Sequence, residues 1–330
     1  MADIFHTPAP DTVAKTTDTM FSGYLDPVLA QDYFAEVAKV SIVQQIARKI
    51  PMGPSGVRIP HWTGEVTARW VAETEQKPVT KGDMTKQDVV PFKIATIFAA
   101  SSEVVRANPA NYLSVMRTKV AEAIALSFDQ AVLHKIDSPF GTALSDTTKF
   151  QELGPNAYDA LNGGLTQLLN DGKKWTGTLL DSRTEPILNA SKDAAERPLF
   201  LEATYTDVNG PFRVGRVIGR PTYISDHVAS EEVVGFMGDF SQLVWGQIGG
   251  LSYDVSDQAT LDLSVNGDGS GIVSLWQQNM VAIRVEAEFA ALVNDPEAFV
   301  KLTDANQPFT PPLAAEAKPA PVKAPAPTAK

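Results

Sequence analysis

The passage from residue 57 to residue 136 most limits what this chain can fold into. Extended residues Val57 to Ala72 lead into a polar, lysine-bearing loop, Glu73 to Gln87. An apolar return, Val89 to Ala100, then runs to Asn108-Pro109 and a long amphipathic segment ending near Ile136. Val57, Ile59, Val66, Ala68 and Trp70 carry some of the period-two alternation of strands with one covered face. The loop between the two strands has almost nothing to bury, and a loop of that length without its own core is usually functional, mobile or held by a neighbour. Asn108-Pro109 predicts a helix start, because Asn accepts orphan amide bonds and Pro suits the first helical position. Tyr112, Val115, Met116, Val120, Ile124, Phe128, Ala131 and Val132 follow at helical spacing, giving a rod of roughly 40 Å. A two-stranded arm sewn to a long helix is the layout of a building block.

Composition narrows the classes further. A length of 330 residues predicts two packed subdomains or one domain with extensions, and 44% apolar with 20% charged residues is ordinary for a folded soluble protein. There is no cysteine, so disulfides and thiolate metal sites are excluded and any covalent reinforcement must use other chemistry. The N-terminal residues carry no basic and apolar leader pattern, and no stretch approaches the roughly 18 apolar residues needed to span a bilayer, so the expectation is cytoplasmic synthesis and no membrane partner. A net charge of −11 and a pI near 4.9 disfavour a polyanion binder, which needs clustered Lys and Arg.

Around this centre the ends are distinctive. Residues 1 to about 25 read as an extended polar arm, and Val28 to Ile50 as one or two short helices ending at Pro51. Helix-like and strand-turn signals alternate from Tyr158 to Trp245, and Val281 to Val300 reads as a last extended strand with a short terminal element. After Asp304 the chain turns to Pro, Ala and Lys, a composition that favours extended conformations and builds no core.

Catalytic and metal signatures are missing. Asp262-x-Ser264-x-Asn266-Gly267 resembles half a calcium loop, but its twelfth position is Val273 where a bidentate Glu is required. His6, His61, His134 and His227 are scattered singly, which argues against a metal site. Ser182 and Ser225 lie in no nucleophile elbow, and no glycine-rich turn opens a helix after a strand. No cofactor and no enzyme of diffusible substrates is expected. A β-rich binding module, the other rival class, would lack the long helix.

The order of several short motifs resembles the major capsid proteins of tailed double-stranded-DNA bacteriophages, the Hong Kong ninety-seven fold. They are Arg69-Trp-Val-Ala-Glu, Gln76-Lys-Pro, Ser101-Ser-Glu-Val-Val, Phe128-Asp-Gln-Ala-Val-Leu, Gly238-Asp-Phe-Ser-Gln, Asn279-Met-Val-Ala-Ile-Arg-Val-Glu-Ala-Glu and Asp295-Pro-Glu-Ala-Phe-Val. The resemblance covers roughly residues 26 to 303. It implies an α+β fold with an N-terminal arm and short helices (1–50) and an extended β-hairpin loop (51–100). A peripheral domain with a long spine helix (101–154) and an axial domain (155–272) would follow. Residues 273–303 would return to the peripheral domain, and 304–330 would form the Pro/Ala/Lys-rich tail. It also implies self-assembly as pentamers and hexamers into an icosahedral virion capsid that encloses DNA without sequence-specific binding. Expected partners are a portal, a decoration protein and, because only about 25 residues precede the first apolar stretch, a separate scaffolding protein. An encapsulin-type protein compartment shell shares the fold and is the alternative.

Some members of this family cross-link their shells through an isopeptide bond between a loop Lys and an Asn of a neighbour, with a Glu as base. The resemblance places Lys77 and Asn279 at the linked positions and Glu286 at the base. The chemistry requires a neutral Lys77 amine, which burial beside apolar groups and proton acceptance by Glu286 would supply. The plainer reading makes Lys77 a solvated charge, Asn279 a strand-entry hydrogen bonder and Glu286 an ion-pair partner of Arg284.

Overall fold

The computed structural model describes residues 41–304, apart from residues 109–111, 155, 191–199, 202–212, 265–270 and several positions between 63 and 81. The expected N-terminal arm up to residue 40, and the tail after 304, lie outside the described residues. The chain runs through a short helix α1 (Ile42–Ile46), strands β1 (Arg48–Lys49), β2 (Val57–Trp62), β3 (Met84–Val89) and β4 (Phe92–Ser101), and helices α2 (Ser102–Ala107) and α3 (Tyr112–His134). Then come β5 (Phe150–Glu152), α4 (Ala157–Asn170), β6 (Gly177–Asp181), α5 (Glu185–Ala190), β7 (Phe200–Leu201), β8 (Arg213–Val217) and β9 (Arg220–Ser225). The last strands are β10 (Val233–Gly238), β11 (Leu243–Ser256), β12 (Thr260–Asp262), β13 (Ile272–Ser274), β14 (Met280–Val293) and β15 (Phe299–Thr303).

Two sheets organise the body. One has the order β1-β11-β14-β4 and the other β5-β15-β10-β6-β9-β8-β7, while β2–β3 and β12–β13 pair only with each other. Strand β11 falls within the 155–272 range and joins the first sheet, whereas β15 falls within 273–303 and joins the second. The sheets therefore interleave along the chain.

The long helix α3 is held by one stripe of its C-terminal half. Val120, Ile124, Phe128 and Ala131 are buried at intervals of four, four and three, one face of a helix. Phe128 meets Phe289 of β14 with ring centroids 4.8 Å apart, and Phe140 and Trp245 at 6.0 and 6.4 Å. Burying a ring of this size contributes about 2–3 kcal/mol. The N-terminal half is different: Val115 is half exposed although its spacing predicts core. The helix stops where Lys135 takes a left-handed φ of +63°. It is shorter at its C-terminus than the expected end at Ile136.

The expected return Val89 to Ala100 corresponds to β4 from Phe92 on, whereas β3 lies mostly within the stretch Glu73 to Gln87 that the sequence reads as loop. β3 pairs with β2 in the arm, Val57 opposite Val89 and Trp62 opposite Met84, whereas β4 leaves to pair with β14. Pro91 explains the break, since it has no amide hydrogen to extend a ladder. The stretch before Pro51 also differs from expectation: α1 ends at Ile46 and the chain continues as β1, parallel to β11. On the seven-stranded sheet, α4 lies so close that a Cβ on its Gly164 would sit 2.4 Å from the Met237 sulfur. Any larger residue there would require the Met237 side chain to move aside.

Candidate functional site: the assembly arm and the Asn279 turn

The arm begins at a hinge. Gly56 has φ +74°, its amide donates to Gly53 O at 2.9 Å, and an added Cβ would lie 2.4 Å from Val89 O. Only glycine fits both demands. From there Arg58 and Asp88 face each other across the β2–β3 pair, with Nε–Oδ1 at 2.5 Å and Nη2–Oδ2 at 3.0 Å. This two-pronged pair fixes register more than it stabilises, since both side chains are solvated. Farther along, Arg69 Nη2 donates to Gln76 O at 3.0 Å, bracing the loop one residue before Lys77. Lys77 is exposed, and so are the large apolar residues around it: Val66, Val79 and Trp70, the last completely.

Asn279 lies in the turn that links β13 to β14, with a left-handed φ of +52°, a conformation Asn tolerates better than most residues. The turn is closed by Met280 N donating to Leu275 O at 2.9 Å. The Asn279 carbonyl accepts from Ser102 N at 2.9 Å, and its Nδ2 donates to Glu103 Oε1 at 2.7 Å. Both partners belong to the first turn of α2, whose N-cap Ser101 accepts from Val104 N. The Glu103 carboxyl is held below its ordinary range, first by its own backbone amide and then by Asn279, Ser101 and nearby Arg106, against the opposing effect of burial. Trp276, in the same turn as Asn279, is 74% exposed.

Glu286 is elsewhere. It sits within β14, opposite Ala95 and Ser252, with Lys93 Nζ at 3.3 Å and Arg284 Nε at 3.4 Å. Seven positions of extended strand separate it from Asn279, about 23 Å at 3.3 Å per residue. One chain therefore does not bring Lys77, Asn279 and Glu286 together as a set. The sequence gives Glu103 no role beyond its place in the Ser101-Ser-Glu-Val-Val motif. Ser101-Ser-Glu points to a helix cap, and nothing in the sequence announces a contact across 176 positions.

Other candidate sites are weak. Asp262 Oδ1 accepts from Ser264 N at 3.0 Å as a turn former, and the rest of the calcium-like stretch lies mostly outside the described residues. Among the described residues no cluster of three potential metal ligands occurs, and no helix is long and apolar enough to cross a membrane.

An arm that leaves Val66, Trp70 and Val79 without cover in their own chain, attached to a body of two sheets and a long helix, fits a subunit that builds a shell. The chain belongs to the Phage capsid family, which matches residues 23–304: it is a major capsid protein of a tailed phage, a structural component of the virion and not an enzyme. It is 60% identical over 303 residues to the "Probable major capsid protein gp17" of Mycobacterium phage L5, covering 88% of this chain and 93% of that protein. The corresponding protein of Mycobacterium phage D29 is 59% identical over 299 residues, with the same coverage. The fold matches a solved chain of Gordonia phage Cozz with a TM-score of 0.66 at 20% identity, covering 92% of this chain and 98% of that one. A chain from the capsid of an empty GTA particle matches with a TM-score of 0.58 at 16% identity, covering 88% and 99%. These last two likenesses concern the fold alone. The working state is a homo-oligomeric shell.

Proposed function

We propose that copies of this subunit gather as pentamers and hexamers and close an icosahedral shell around double-stranded DNA. An isopeptide bond from Lys77 of one subunit to Asn279 of another would staple the shell. The observation that carries this reading is the exposure of Val66, Trp70 and Val79 in the arm beside an exposed Lys77, since such surface gains burial only against another subunit. The 60% identity to a protein named as a major capsid protein supports the shell. The net charge of −11 suits a container that holds DNA without binding it by sequence.

The peripheral unit in this reading is the four-stranded sheet with α3, and the axial unit is the seven-stranded sheet with α4. That assignment gives β11 to the first and β15 to the second, and so trims the linear ranges 155–272 and 273–303. Because Glu286 lies so far along β14 from its own chain's Asn279, the base for each bond would come from a chain other than the one that supplies Asn279. The Lys77 amine, freed of its extra proton, would attack Asn279 Cγ and expel ammonia.

The test is a denaturing gel of boiled particles with intact-mass spectrometry. A ladder of multimers, lighter by about 17 Da per bond for each ammonia lost, is expected, and Lys77→Arg or Asn279→Asp should collapse it to monomer. A single monomer band from intact wild-type shells would overturn the cross-link and keep the shell. A purified subunit that forms no closed particles under any assembly condition would overturn the icosahedral reading.

A further inference from the structure

The Asn279 side chain already has a chemical partner in its own chain. A carboxylate only accepts hydrogen bonds, so the amide facing Glu103 must present its nitrogen, and Nδ2 does so at 2.7 Å from Oε1. The atom that would leave in an isopeptide reaction is therefore the atom that Glu103 touches. An amide nitrogen departs only as ammonia, so it must gain a proton as its bond to Cγ breaks, while the attacking amine must lose one. Glu286 faces Lys93 and Arg284, about 23 Å along the strand at 3.3 Å per residue, and reaches Nδ2 of its own chain in no way.

We propose that Glu103 is a catalytic residue of the cross-link, the group that carries a proton to the leaving nitrogen of Asn279. This inference rests on the Lys77–Asn279 reading above. Glu286 of another subunit first takes a proton from the Lys77 ammonium. The neutral amine then attacks Asn279 Cγ, forming the new C–N bond and a tetrahedral centre. The attacking nitrogen gives its surplus proton to the Glu103 carboxylate, which passes it to Nδ2. The old Cγ–Nδ2 bond breaks, ammonia leaves, and Glu103 ends as it began, ionised.

The surroundings suit that role. Glu103 begins as a carboxylate, held so by its own backbone amide, Asn279, Ser101 and Arg106. Its position in the first turn of a helix capped by Ser101 anchors it, and the Ser102–Asn279 backbone hydrogen bond locks that turn to the substrate residue.

A competing role for Glu103 is a latch that joins α2 to the turn. Glu103→Gln separates the two, because it keeps an acceptor for Nδ2 and removes the ability to carry a proton. Shells of wild type, Glu103→Gln and Asn279→Asp are assembled, sized, and sampled over time on a denaturing gel. The expected result is closed shells in all three, with the ladder in Glu103→Gln slowed roughly 10²- to 10⁴-fold, the range of proton-transfer catalysis, and absent in Asn279→Asp. A ladder at the wild-type rate in Glu103→Gln would overturn the role of Glu103 and leave the Lys77–Asn279 bond standing. No ladder in wild type would overturn both.

Should Glu103→Gln chains fail to close shells alone, they are co-assembled as a heavy-nitrogen-labelled minority with unlabelled wild type. Mass spectrometry then compares labelled with unlabelled Asn279 peptides. Labelled peptides far less often joined to Lys77 support the proposal, and equal joining overturns it.

Discussion

Asp129 of the long helix and Ile42, 87 positions apart, are joined by a hydrogen bond in which the Ile42 amide donates to Oδ2 at 2.9 Å. The Val43 amide and the Ser41 hydroxyl donate to Oδ1 at 3.2 and 2.5 Å. The spine helix thus caps α1 from outside and fixes the start of that helix against the body. Asp129→Ala would leave three buried donors without acceptors, and a loss of about 2–3 kcal/mol is expected. Thermal melting of the subunit against wild type checks it.

Burial pushes the Asp129 carboxyl up to about 7, against the hydrogen bonds from Ser41, Ile42 and Val43. A folded value raised above the unfolded one gives stability that is complete below about 3.8 and is lost as pH rises through 7. His134, five positions further along the same helix, acts in the opposite sense. Burial pulls it down to about 4, and its neutral ring donates from Nε2 to Val228 O at 2.6 Å. Its stabilisation is present above 6.5 and is lost as pH falls through 4. The two slopes oppose each other in wild type between about pH 4 and 6.5. Asp129→Asn should expose the His134 slope, with melting temperature rising with pH over that window, and His134→Phe should expose the reverse. Parallel pH–melting curves for both variants and wild type would refute this pairing.

What could be read from the sequence followed from local chemistry. The helix from Tyr112 to His134 was legible in its periodicity, and β2 in the alternation of Val57 and Ile59, whereas Val66, Ala68 and Trp70 lie past its end at Trp62. Pro91 was equally visible, but nothing in the polar stretch Met84 to Gln87 announces that it pairs with β2 as a strand, because the partner and not the side chains decides it. Longer-range relations left no such trace. Glu103 reads as an ordinary first-turn acid until the β14 turn arrives 176 positions later. Asp129 reads as a polar break in an apolar stripe until Ser41 turns to meet it. Lys77, Asn279 and Glu286 could be placed by resemblance. The separation of Asn279 from Glu286 within one chain required the register of β14.

The hinge of the arm offers a sharper mutational test. Gly56→Ala would force a left-handed conformation on a residue with a Cβ and drive that Cβ to 2.4 Å from Val89 O. The cost expected is about 1–3 kcal/mol, the range for backbone strain at such a position. Hydrogen exchange of the β2 and β3 amides checks it. Faster exchange in the arm, with α3 and the seven-stranded sheet unchanged, is the expected pattern. Unchanged protection at Val57 and Val89 would show that the backbone escapes the clash.

The exposed tryptophan of the arm separates stability from assembly. Trp70 has no cover in its own chain, while its neighbour Arg69 is tied to Gln76 and so keeps the loop in shape without it. Trp70→Ala should leave the melting temperature of the isolated subunit within the scatter of ordinary surface changes, about ±0.5 kcal/mol. Aromatic residues dominate contact energies between subunits, so each contact should weaken by about 2 kcal/mol or more, near thirtyfold in affinity. Light scattering against subunit concentration should show the assembly threshold shifted upward, and the cross-linked ladder should shorten with it because Lys77 is then delivered less often. An unchanged threshold would mean that the arm tip meets no neighbour. A lowered subunit melting temperature would instead mean that Trp70 packs within its own chain.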